Sequence, residues 1–118
     1  MTVTMYGIKN CDIVKKARDW LDKQGVAYGF QDYKLAGIGE DRLRAWCDEF
    51  GWDAVLNRAG VTFRKLSDVD KQNLDADKAI WLMQAQPSMI KRPILDLGSR
   101  RVIGFKPELY REALFGNE

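Results

Sequence analysis

Cys11 stands where thiol chemistry is favoured by position. It follows the apolar stretch Thr2–Tyr6 and Gly7, and it precedes Ile13, Val14, Ala17, Trp20 and Leu21, which recur at helical spacing. Asp12, Lys15, Lys16, Arg18, Asp19 and Asp22 occupy the other face. The spacing predicts a buried strand over Thr2–Tyr6, a tight turn at Gly7, and a helix that begins near Cys11. Unpaired backbone N–H groups and the positive end of the helix dipole favour a thiolate there. A free thiol with a pKa of about 8.5 is only a few per cent ionised at pH 7. A helix end contributes at most about 2 kcal/mol and each pKa unit is worth about 1.4 kcal/mol. A mostly ionised thiol therefore calls for a nearby cation as well. The same position equally suits a small apolar residue packed under the strand.

Other chemistries are excluded by what the chain lacks. Its 118 residues contain no histidine, which removes imidazole bases, Ser-His and Cys-His triads and His-based metal sites. With two cysteines far apart, no metal site is expected. Hydrophobic content of 46% beside 31% charged residues is ordinary for one globular domain with its own core. A net charge of +2 gives no basis for a nucleic-acid partner. No apolar run reaches the roughly 18 residues of a membrane span, and Met1 leads straight into strand pattern without an export signal. A cytoplasmic location is expected, with no membrane partner and with the cysteines as thiols.

The elements that must position Cys11 follow in order. Gly25 ends the first helix, and Val26–Tyr33 has strand character. Leu35–Gly39 reads as a loop, and Asp41–Phe50 as a helix with Leu43, Trp46, Cys47 and Phe50 on one face. Within that stripe Cys47 reads as a core residue. Trp52–Leu56 forms one helical turn, Asn57–Gly60 a loop, and Thr62–Gln86 a mainly helical stretch. Its core positions are Leu66, Val69, Leu74, Ala79, Ile80, Leu82 and Met83, and Asp75 is a candidate N-cap. A strand follows over Ile94–Leu97, then a turn at Gly98–Arg100 and a strand over Arg101–Phe105. The last helix starts at Pro107 and buries Leu109, Tyr110 and Leu114. Trp20, Trp46, Trp52 and Trp81 read as packing residues.

These halves, β-α-β and β-β-α, combine into an α/β thioredoxin-like fold: a four-stranded mixed sheet with an inserted helical subdomain at about 38–88, in one domain over 1–118. The thioredoxin-like part is then 1–37 and 89–118. Right-handed crossover geometry puts Cys11 at the C-terminal edge of the first strand, where open α/β sheets bind ligands. Arg92-Pro93 enters the sheet nearby, with a cis peptide expected before Pro93.

The ordered motifs Gly7–Asp12, Val14–Ala17 with Trp20-Leu21, Asn57-Arg58, Lys91–Ile94 and Gly104–Pro107 together resemble the arsenate reductase (ArsC/Spx) family, in its YffB-like branch. The resemblance covers essentially the whole chain. It implies a nucleophilic role for Cys11 and substrate- or anion-binding roles for Arg92, Arg58, Lys106, Lys15, Asn10 and Pro93. Lys106 and Lys15 stand where the arsenate reductases have arginines, which keeps charge but loses the planar two-pronged donor. Asp12 puts a carboxylate beside the thiol where those enzymes have a small neutral residue, and this disfavours an oxyanion at the same helix end.

For this branch the resemblance implies a glutathione-dependent thiol reductase, with no bound cofactor and glutathione as co-substrate. The substrate is then a small-molecule or protein disulfide. Arsenate reduction, with glutathione and glutaredoxin, is one alternative. A non-catalytic adaptor like the Spx regulators that bind RNA polymerase is another, although Val14 stands where their C-x-x-C switch has its second cysteine. By residue type alone, Arg58 and Arg92 are better read as arginines paired with surface carboxylates than as site residues.

Overall fold

Val3, Met5, Tyr6 and Gly7 are buried, as an apolar run covered on both faces requires, and this stretch becomes one of two inner strands of the sheet. The computed structural model describes residues 2–116. Strand β1 (Thr4–Gly7) leads to helix α1 (Asp12–Lys23) and strand β2 (Gly29–Asp32), which pairs parallel to β1. After the helical segment, β3 (Ile94–Asp96) pairs antiparallel with β1, and β4 (Arg101–Ile103) antiparallel with β3. The sheet is mixed and four-stranded, in the order β2-β1-β3-β4. This is a thioredoxin-like fold, and it is the α/β class expected from the order of elements.

The strand ends differ from the sequence pattern. β1 starts at Thr4 and takes in Gly7, so Gly7 lies within a strand rather than in a turn. What demands glycine there is space: a Cβ would lie 3.0 Å from one Val14 methyl and 3.3 Å from the other. β2 is shorter than the apolar pattern suggests: it starts at Gly29 rather than Val26, and Tyr33 leaves the strand to open the helical turn α2 (Tyr33–Ala36), which also takes in part of the expected loop. β4 stops at Ile103, where Gly104 turns with φ +79 and its N–H donates to the Pro93 carbonyl at 2.8 Å.

The chain groups into two compact units, one running up to Tyr33 and resuming at Arg92, the other Lys34–Lys91. In the sheet unit, Val14, Ala17 and Leu21 of α1 pack with Met5, Leu95, Val102 and Tyr110. Tyr110 belongs to the closing helix α8 (Pro107–Phe115). Trp20, Phe105 and Tyr110 meet edge to face, with ring centroids 4.8–6.4 Å apart.

In the helical unit, α3 (Glu40–Phe50) buries Leu43, Trp46 and Cys47. One-turn helices α4 (Trp52–Val55), α5 (Val61–Arg64) and α6 (Asp68–Lys71) follow, then α7 (Ala76–Ala85) and a 3-10 turn over Pro87–Met89. Asp75 caps α7 by accepting the Lys78 N–H at 2.8 Å, and Ser67 caps α6 from Asp70. Residues 89–91 are tied back by a bridge between Leu56 and Ile90 and by the Lys91 N–H on the Val55 carbonyl.

Ile13, Val69, Trp81 and Leu109, all expected on packed faces, are on the surface. Val69 is 73% exposed because α6 is a single turn with no buried face. Trp81 is 60% exposed, since the packed face of α7 runs through Ala79, Ile80, Leu82 and Met83. Leu109 is 39% exposed, and Tyr110 takes the inward position beside it.

Candidate functional site

Cys11 is the N-cap residue of α1, extended at φ −134 and ψ 127, and its thiol is partly exposed. The loop that carries it is fastened to the sheet: the Lys9 N–H donates to an Asp32 carboxylate oxygen at 3.0 Å. Asp32 is the β2 residue in register with Gly7, so the ends of two parallel strands meet under the thiol. The antiparallel partner brings in the cation. Tyr6 pairs with Ile94, which delivers the residues just before β3 to the same sheet edge. There the Arg92 Nε donates to the Cys11 Sγ at 3.3 Å, and the Arg92-Pro93 peptide is cis.

Burial alone pushes the Cys11 pKa up, but the Arg92 hydrogen bond, the Val14 N–H, the Arg92 charge and the Ile13 N–H outweigh it, and the thiol lies below its ordinary value. The two N–H groups are donors of the first turn of α1 that have no helical acceptor. Burial opposes the Arg92 charge in turn, yet its bonds to Cys11 and Tyr33 leave the guanidinium more firmly protonated than usual.

Tyr33 is the site residue that sequence reasoning missed. It is fully buried, and its hydroxyl is hydrogen-bonded to the Arg92 guanidinium. Burial holds its ionisation far above the ordinary phenol range, against the pull of Arg92. The signal that could have found it was topological. In a β-α-β unit the residue after β2 lies at the same edge as the residue after β1, whereas the apolar pattern alone makes Tyr33 the end of a strand.

Pro93 is buried directly after Arg92, and Asn10 is exposed directly before Cys11. Lys15 binds the site through its backbone, donating its N–H to the Cys11 carbonyl at 2.9 Å, while its side chain is exposed. Lys106 is the exposed N-cap residue of α8. Arg58 belongs to the helical unit, where its guanidinium lies 5.7 Å from the centre of the Trp52 ring. Cys47 is also in that unit, 7% exposed, with burial and then Asp48 pushing its pKa up against Arg44. Among the described residues no helix is long and apolar enough to cross a membrane.

Sheet order defines a thioredoxin-like fold, with the thiol of Cys11 at the N-terminus of α1 as its candidate site. Comparison with known proteins narrows the class. The chain belongs to the ArsC family, whose model matches residues 6–113. It is similar to the solved structure of a YffB protein, at 61% identity and a TM-score of 0.93, over 96% of this chain and 99% of that one. A solved arsenate reductase (ArsC) related protein from Brucella melitensis is 50% identical, with a TM-score of 0.77 and coverage of 99% and 97%. The global transcriptional regulator Spx of Streptococcus mutans is 28% identical over 95% of this chain and 82% of its own length.

Proposed function

We propose that this protein is a glutathione-dependent thiol reductase of the cytoplasm, with Cys11 as its single nucleophile. The observation that carries this reading is the Arg92 Nε donor 3.3 Å from the Cys11 Sγ. It stabilises the thiolate both as attacking group and, on return, as leaving group. In the first step the Cys11 thiolate attacks one sulfur of a disulfide RS–SG, forming a Cys11–SG bond and releasing RS⁻, which takes a proton from solvent. A second glutathione, as thiolate, then attacks the Cys11-bound sulfur. Oxidised glutathione leaves, and the Cys11 thiolate is regenerated beside Arg92. Across the cycle RS–SG and one free glutathione are consumed, and RSH and oxidised glutathione are formed. Lys106, Lys15 and Asn10 are assigned to the carboxylates of glutathione, and Pro93 to its peptide backbone. Arg58 is assigned as a further anion-binding group.

The test is reduction of a small mixed disulfide by glutathione, coupled to consumption of a nicotinamide reductant through glutathione reductase. Turnover that disappears in Cys11→Ser protein, with a Cys11–glutathione adduct seen by mass, is the expected result. Absence of both adduct and turnover overturns the proposal. Turnover that requires arsenate and glutaredoxin would move the protein to arsenate reduction instead. The similarity to Spx supports a second reading, a non-catalytic adaptor. Recovery of RNA polymerase subunits on the immobilised protein, without turnover, would favour it.

A further inference from the structure

The end of β2 contributes two adjacent side chains to the thiol site. Asp32 accepts the Lys9 N–H and so anchors the loop before Cys11. Tyr33, the next residue, has left the strand, and its hydroxyl meets Arg92. A buried hydroxyl needs a partner, and a long guanidinium needs something to choose its rotamer. Each answers the need of the other: a rigid, fully buried phenol offers one fixed acceptor to a side chain with many conformations.

We propose that Tyr33 is a positioning residue, which holds the Arg92 guanidinium in the orientation that aims its Nε at Cys11 Sγ. In its bearing on catalysis the inference rests on the reductase reading above. A phenol suits this task better than a carboxylate. It accepts a hydrogen bond yet stays neutral, so it does not draw the Arg92 charge away from the thiolate. The charged and titratable groups acting on Tyr33 are Arg92, Cys11 and Asp32. Asp32 adds its negative charge to the burial that keeps the phenol protonated.

The test is the pH profile of Cys11 alkylation by iodoacetamide in Cys47→Ala protein, with and without Tyr33→Phe. The variant keeps the ring and loses only the acceptor. Its midpoint is expected to move up, with the thiolate fraction on the acidic limb reduced about threefold or more. The same change in an Arg92→Ala background is expected to move nothing, because Tyr33 acts through Arg92. An unchanged midpoint, or an equal shift with and without Arg92, overturns the inference. A second measurement needs no variant at this position. With carbon-13 at tyrosine Cζ, the Tyr33 resonance is expected to follow the Cys11 midpoint, and a Tyr33 resonance indifferent to that titration overturns the inference. Both readouts follow ionisation rather than turnover. Wild-type protein that reduces no mixed disulfide therefore sinks the reductase reading and leaves the Tyr33 question to these two measurements.

Discussion

Replacing Arg92 by alanine isolates the electrostatic contribution to the thiol. The guanidinium Nε and the Sγ are 3.3 Å apart, and both side chains are partly exposed, so the water dielectric sets a conservative scale. At that separation two unit charges interact by about 1.3 kcal/mol in bulk water. This is roughly a tenfold change in the thiolate fraction on the acidic limb. The reaction of the thiol with a small aromatic disulfide, followed by stopped-flow release of the coloured thiolate, is the suitable assay. A more basic thiolate is also intrinsically more nucleophilic, with a Brønsted slope of about 0.4–0.5. Part of the loss therefore returns. The variant is expected to react about threefold more slowly than wild type well below the midpoint and about threefold faster on the alkaline plateau. The two profiles cross. Coincident profiles, or a drop by one factor at every pH, would refute the assignment, since the second pattern means lost access rather than lost charge.

Other expectations concern the scaffold. Gly7→Ala is expected to lower stability by about 1–3 kcal/mol in urea unfolding, because the new Cβ meets both methyls of the fully buried Val14. Asp75→Ala removes the cap from Lys78 N–H, and hydrogen exchange in α7 is expected to accelerate in line with a loss of about 1 kcal/mol. The Tyr110 hydroxyl is buried without a hydrogen-bond partner among the described residues. Tyr110→Phe is accordingly expected to raise stability by up to about 1 kcal/mol by thermal or urea unfolding. Burial raises the Tyr33 and Tyr110 ionisations, so their contribution to stability is complete below the unfolded phenol value of about 10 and is lost as pH rises towards the folded values. Alkaline unfolding followed by circular dichroism checks this sign, and Tyr110→Phe removes that residue's share. Cys11 has the opposite sign. Its folded pKa is lowered, so its contribution is present above the unfolded value of about 8.5 and lost as pH falls through the folded one. The stability difference between wild type and Cys11→Ser should therefore grow with pH over that window.

The fold was legible because the local patterns agreed with one another. Val14, Ala17 and Leu21 mark the inner face of α1 by spacing, Asp75 marks the start of α7, and Gly98–Arg100 marks the turn between β3 and β4. The breaks inside the helical stretch were not legible. Single turns such as α5 and α6 carry too few residues to show a period, and an exposed valine there looks like any apolar position. Gly7 was legible as a glycine that something required, but its actual requirement, the Val14 methyls, is a contact seven residues away. In the site, the position of Cys11 could be read from its place before a helix. The Arg92 contact spans 81 residues and depends on the antiparallel register of β1 with β3. Tyr33 needed both that register and the parallel one with β2.

On the reductase reading proposed above, the source of the second thiol follows from what position 14 is used for. A resolving cysteine on α1 would stand there, and the chain has valine. That valine acts on the thiol only through its backbone, whose N–H is one of the donors lowering the Cys11 pKa. Its side chain is wholly buried in the sheet core, against the space left by Gly7. Position 14 is thus committed to packing, and the close contact that excludes a Cβ at Gly7 also resists enlargement of the side chain. Cys47 offers no replacement on chemical grounds, because burial and Asp48 keep it in the neutral thiol form, which neither attacks a disulfide nor leaves from one readily. A disulfide formed at Cys11 is then resolved most directly by a thiol that arrives from solution and uses the same cation. Arg92 lowers the cost of Cys11 as leaving group whichever external thiolate attacks. The arrangement of one activated cysteine, one packed valine and one inert cysteine supports a diffusible thiol such as glutathione over an internal dithiol cycle.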